Sequence, residues 1–197
     1  MLDAAHPGHR FQAEMPGLIY HTAIAAAPAR RLLPETLMKF SHSIEINDPH
    51  NPHLAPLTRQ QLWLGLVLRA EAPQLFMPQL DQCFLSDPTD TTVARALHYG
   101  NLVIRDRVIF DALQQVRFEV PAQGEIAASS LVMRIEEAQP GALSVRFEYD
   151  DGCDAATDAA NEMYNEYRRA TYHAADTDTV ALIRELAAQG ALVRPNP

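Results

Sequence analysis

Apolar and polar positions along this chain change period several times, and each change marks an element. Phe40, His42, Ile44 and Ile46 occupy alternate positions, the period of a half-buried strand. Asn47-Asp48-Pro49, Asn51-Pro52 and Pro56 then interrupt the chain repeatedly. Thr58 with Gln61 three residues on forms a capping-box start, and Leu62, Leu66 and Arg69 follow at helical spacing, with Trp63 and Val67 widening the apolar surface. Gly65 costs that helix about 1 kcal/mol against Ala, so its presence predicts close packing against another backbone. Pro73 ends the helix and opens a short second one through Phe76, stopped by Pro78.

The period of two returns after Cys83 and holds through six predicted strands. They cover Cys83 to Ser86, Thr91 to Tyr99, Leu102 to Phe110, Val116 to Val120, Leu131 to Ile135 and Leu143 to Tyr149. Gly100-Asn101 suits a two-residue hairpin, and Gln139-Pro140-Gly141 a type II turn. Each strand has one apolar and one polar face, which describes an antiparallel sheet covered on one side. From about Asp154 to Gln189 neither Gly nor Pro occurs, so one long helix is expected, stopped at Gly190. The order β-α-α-β6-α defines an α+β fold, a curved antiparallel sheet of about seven strands around a long C-terminal helix. A sheet of that many strands curls, and one helix leaves its concave face incompletely filled. A hollow for a small apolar ligand is the expected result.

Composition narrows the partners. Hydrophobic residues make 47% and charged residues 21%, an ordinary globular balance, and 197 residues suit a single domain. The net charge of −9, from 25 acidic and 16 basic side chains, with Lys39 the only lysine, argues against nucleic acid or an anionic membrane as partner. No apolar run reaches the roughly 20 residues of a membrane span, and no basic n-region precedes the short apolar stretch Thr22 to Ala27. Cys83 and Cys153 lack metal or redox spacing, which with the missing signal points to a cytoplasmic protein with reduced thiols. Residues 1–37, with Pro7, Pro16, Pro28 and Pro34 and no period, read as a flexible extension; 38–192 form the domain and 193–197 a tail.

Polar residues on the inward face are the chemical candidates. Val93, Leu97 and Tyr99 fix one strand's inward face and Arg95 falls on it; Ile104, Val108 and Phe110 do the same for Asp106. The facing strands bring Arg95 and Asp106 together as a charge pair, whereas a slip of one residue would turn Arg105 and Arg107 inward instead. With Leu97, Tyr99, Phe118, Met133 and Phe147 they are the sheet's candidate ligand contacts. On the long helix, Tyr164, Tyr167, Arg168, Thr171, Tyr172 and Asp176 lie in a broad stripe leading to Thr179, Ile183 and Leu186; Tyr164, Tyr167 and Arg168 are its candidate contacts. His50 and His53 sit in a Pro-interrupted loop without further ligands, so no metal site is expected. His98 points outward, and Ser129-Ser130 and Asp150-Asp151 match no nucleophile or acid–base motif. No cofactor motif and no catalytic constellation is present.

Several segments together resemble a known family: Ile44-Glu45-Ile46-Asn47-Asp48-Pro49, Leu57 through Trp63, Gly65 through Glu71, Arg105-Asp106-Arg107-Val108, Pro121 through Ile126, Ser129-Ser130-Leu131 and Tyr164 through Arg169. Over Met38 to Leu192 the chain resembles the AtaL-like group of the START-related, birch-allergen-like (SRPBCC) superfamily. The resemblance implies a helix-grip fold and an internal cavity for apolar or aromatic small molecules. Some members of that superfamily are aromatases or cyclases and many only carry ligands. The expected function is therefore small-molecule binding, with a polyketide-type enzyme using the same pocket as the alternative.

Overall fold

The computed structural model describes residues 39–51, 55–150 and 162–192. The expected extension 1–37, the tail, His53, Cys153 and the first residues of the predicted long helix lie outside them. Seven strands form one sheet: β1 (Lys39–Glu45), β2 (Gln82–Ser86), β3 (Thr92–Tyr99), β4 (Leu102–Asp111), β5 (Gln115–Val120), β6 (Ser129–Gln139) and β7 (Ala142–Asp150). The spatial order is β1-β7-β6-β5-β4-β3-β2, and every neighbouring pair is antiparallel. The first strand thus closes one edge beside the last, while β2 to β7 run as a meander.

Two helices accompany the sheet, α1 (Arg59–Glu71) and α2 (Glu162–Ala188). The second short helix anticipated after Pro73 is a single 3₁₀ turn, Pro73–Leu75. Pro73 presets the first φ, but Pro78 follows too soon for an α-helical ladder to propagate. Both hairpin turns follow from their residues: Tyr99 pairs with Leu102 across Gly100-Asn101, where Gly100 takes φ 57°, and Gln139 pairs with Ala142 across Pro140-Gly141. Positive φ without a Cβ penalty is what Gly100 supplies to so short a connection.

The strands bury alternate residues on one face. Val93, Arg95, Leu97 and Tyr99 of β3 are buried, as are Ile104, Asp106, Val108 and Phe110 of β4 and Leu143, Val145, Phe147 and Tyr149 of β7. The opposite face carries Arg117–Glu119, Arg134–Glu148 and Arg146–Glu148 ion pairs among its half-exposed residues. Helix α1 covers the buried face with Leu62, Trp63, Leu66, Val67 and Ala70; the Trp63 ring meets Phe110 edge-on at 6.5 Å. Its N-terminus is the anticipated capping box, Thr58 Oγ1 accepting from Gln61 N and Gln61 Oε1 from Thr58 N.

Helix α2 packs on α1 and β1. Its buried side is Asn165, Arg168, Tyr172, Asp176, Thr179, Val180 and Ile183, a stripe of three- and four-residue steps. Gly65 is where the helices meet: a Cβ there would stand 2.6 Å from Ile183 Cγ2. The close approach at Gly65 is to a side chain of α2 and not to another backbone as its sequence context suggests, because the Ile183 side chain fills the space a Cβ would take. The segment between β1 and α1 is held by Asn47, whose side chain accepts from Leu57 N (2.9 Å) and donates to Leu57 O (2.7 Å). Arg184 of α2 adds donors to the carbonyls of Ala55 and Ile46, tying helix, loop and sheet edge together.

Candidate functional site

Two polar groups interrupt the apolar inner face, and the strand pleat explains the first. Arg95 lies directly opposite Asp106 in the β3–β4 ladder, both inside, while Arg105 and Arg107 point out. The expected register is therefore the observed one. Arg95 Nε donates to Asp106 Oδ1 (2.9 Å) and Nη2 to Oδ2 (2.5 Å), a two-pronged pair with side chains 3% and 0% exposed. Arg95 Nη1 donates to Ala70 O (2.9 Å), the carbonyl near the end of α1, and the guanidinium lies 4.8 Å over the Phe118 ring. Planar guanidinium against carboxylate is the geometry that makes such a pair strong and rigid.

Beyond this pair lies a second apolar cluster of Leu80, Leu97, Tyr99, Ile104, Val120 and Ile126. The Tyr99 hydroxyl touches Met77 Sδ at 3.6 Å. Burial pushes the Tyr99 phenol up to about 12, opposed in part by the positive charge of Arg95. Burial likewise raises the Cys83 thiol.

The second polar group joins four elements. Asp176 of α2 is fully buried and its Oδ2 accepts from the Tyr149 hydroxyl at 2.6 Å. His42 of β1 brings Nε2 to 3.1 Å from the same oxygen, and Arg69 of α1 brings Nη2 to 3.6 Å from Oδ1. Aromatic rings wall it: His42 stacks on Phe147 (5.3 Å, 12°) and Tyr149 on Tyr172 (4.3 Å, 4°). Burial first, and the Asp176 charge second, raise the Tyr149 phenol well above its ordinary value, so it stays a donor throughout the physiological range. A phenol, a carboxylate, an imidazole and a guanidinium in one apolar surround can accept, donate or relay a proton.

The sequence candidates divide accordingly. Arg95, Asp106, Leu97, Tyr99, Phe118, Met133, Phe147 and Arg168 are all buried. Arg168 lies over Tyr172 at 5.9 Å, with Nη1 3.4 Å from Asn165 Oδ1. Tyr164 belongs to α2, but its side chain is outside the described residues. Tyr167 is a correction: it is 59% exposed, on the side of α2 turned away from the sheet. At about 100° per residue Tyr167 falls roughly opposite Asn165 and Asp176 on the helix, outside the buried stripe that they share with Arg168 and Tyr172. His42, Arg69, Tyr149 and Asp176 were not among the candidates, although the alternation of β1 and β7 and the four-residue step from Tyr172 to Asp176 were signals for three of them. Among the described residues no group of His, Cys, Asp or Glu is arranged to hold a metal ion, and no helix is long and apolar enough to cross a membrane.

A long helix laid against the inner face of a curved seven-strand antiparallel sheet is the helix-grip fold. The chain belongs to the AtaL family, whose model, described as acetylaranotin biosynthesis cluster protein L, matches residues 44–190. Solved structures share the fold at low identity. The ZhuI aromatase/cyclase from Streptomyces sp. R1128 is 12% identical at a TM-score of 0.51, over 77% of this chain and 96% of that one. Norcoclaurine synthase from Thalictrum flavum is 9% identical at 0.52, over 84% and 99%. The di-domain aromatase/cyclase StfQ of the steffimycin biosynthetic pathway is 8% identical at 0.56, over 79% of this chain and 52% of that one, so the match spans about half of it. No curated protein matches the chain significantly.

Proposed function

We propose that this protein binds a small apolar or aromatic metabolite between the inner face of its sheet and α2. The observation that carries the reading is the burial of polar side chains, above all Asp176 with Tyr149, His42 and Arg69, on a face that packing alone would make wholly apolar. Ligand sites combine such apolar and aromatic walls with a few placed polar groups. At about 25 cal/mol per Å², covering a few hundred Å² of an aromatic ligand supports micromolar affinity against the costs of association. The family description, from a biosynthesis cluster, and the fold shared with proteins named aromatase/cyclases agree with a metabolite as occupant.

A second reading is an enzyme of polyketide type using the same surface. What favours it is the phenol–carboxylate–imidazole grouping, which has the means for acid–base work. Native mass spectrometry of protein purified from its own host tests the binding reading. The expected result is an added small-molecule mass that disappears on denaturation; a bare chain mass across preparations contradicts it. Incubating the extracted compound with fresh protein separates the two readings, since a carrier returns it unchanged.

A further inference from the structure

The two inner-face arginines are held very differently. Arg95 is locked on Asp106 by two hydrogen bonds and on the Ala70 carbonyl by a third. Arg69 sits one residue before that carbonyl, and its hold is loose. Its Nη1 points at the thioether of Met133 (2.9 Å), a weak acceptor, and its Nη2 stands 3.6 Å from Asp176 Oδ1, beyond hydrogen-bond length. Asp176 Oδ1 and His42 Nδ1 have no hydrogen-bond partner among the described residues, and His42 Nε2 has only its 3.1 Å approach to Asp176 Oδ2, although the Asp176 side chain is 0% and that of His42 10% exposed. Buried polar atoms without a partner cost about 1–3 kcal/mol each, so their presence on two adjoining side chains calls for an occupant that completes them.

The chemistry of the gap selects the occupant. A carboxylate would meet Asp176, and an ammonium would meet Arg69, so a full charge of either sign is disfavoured. A neutral hydroxyl satisfies both sides at once, its oxygen accepting from Arg69 Nη2 and its hydrogen going to Asp176 Oδ1. Normal lengths with a near-tetrahedral angle at the bridging oxygen need the Arg69 head to shift by about 1 Å, which a thioether contact resists little. The walls are flat rings, His42 on Phe147 and Tyr149 on Tyr172, so the hydroxyl belongs on a planar aromatic or enolic system. An aryl hydroxyl is also a stronger donor to a carboxylate than an alkyl one.

We propose that Arg69 and Asp176 form the polar end of the ligand site and recognise a phenolic or enolic hydroxyl, with His42 beside it. This rests on the binding reading above and specifies the class of its ligand. Equilibrium dialysis of the whole chain with 2-naphthol and 2-methoxynaphthalene tests it, because the ether keeps the oxygen and ring but has no hydrogen to give. Wild-type protein is expected to hold the naphthol about tenfold more tightly, although the ether is the more apolar compound, as hydrogen bonds to charged groups imply. In Arg69→Met and Asp176→Asn that preference is expected to fall to about twofold or less. Equal binding of the two compounds by the wild-type chain overturns the hydroxyl site and leaves the ligand reading standing. Binding of neither overturns both. The wild-type comparison decides even where a variant does not fold, and a folded variant that keeps the full preference also overturns the assignment.

Discussion

Asp106→Ala is expected to lower the stability of the fold by about 3–5 kcal/mol, the cost of removing one member of a buried ion pair. The group that loses its carboxylate is Arg95, 3% exposed and unable to shed its charge. Its guanidinium would keep Ala70 O and the Phe118 ring but lose both strong acceptors. Urea denaturation reads the effect as a lower midpoint at unchanged slope. Replacing both members, Arg95→Met with Asp106→Leu, is expected to recover most of the loss, because hydrophobic residues of similar volume need no mutual partner. A cost below about 1 kcal/mol for Asp106→Ala, in the range of exposed ion pairs, would show that the β3–β4 register does not turn these residues inward.

Gly65→Ala carries the second largest expected effect, and its sign depends on which of two forces is larger. Helix propensity favours Ala by about 1 kcal/mol. The new Cβ, however, would stand 2.6 and 2.7 Å from Ile183 Cγ2 and Cγ1, inside van der Waals contact. Ile183 is fully buried, so it has little room to yield, and overpacking of this kind costs about 1–3 kcal/mol. Net destabilisation follows, readable as a lowered melting temperature. The diagnostic is coupling: with Ile183→Ala present, Gly65→Ala should cease to destabilise, and the double variant should be more stable than the sum of the single ones predicts. Strict additivity would mean that α1 and α2 do not meet at this point.

Much of this architecture was legible because strands announce their buried face. Alternation in β3 and β4 put Arg95 and Asp106 on one side, and the hairpin at Gly100-Asn101 set them opposite each other, so a long-range ion pair followed from local pattern. The helical stripe was less legible. A period of 3.6 residues with polar members leaves its boundary undefined, and the stripe drawn too broadly took in Tyr167. The Asp176 group was not legible as a group at all. Its members come from β1, α1, β7 and α2, and their distances depend on how α2 docks, which no single segment encodes. Arg69 was visible only as one more position at helical spacing.

The central claim is that the inner face and α2 together form a ligand site whose polar end is Asp176. A crystal structure of protein purified from its own host, without added ligand, tests it most directly. The account predicts ordered non-protein density lying along Phe147 and Tyr149, with one atom within hydrogen-bond distance of Asp176 Oδ1 or Arg69. A side chain of the protein itself filling that position, with Asp176 and His42 fully partnered by it, would contradict the account.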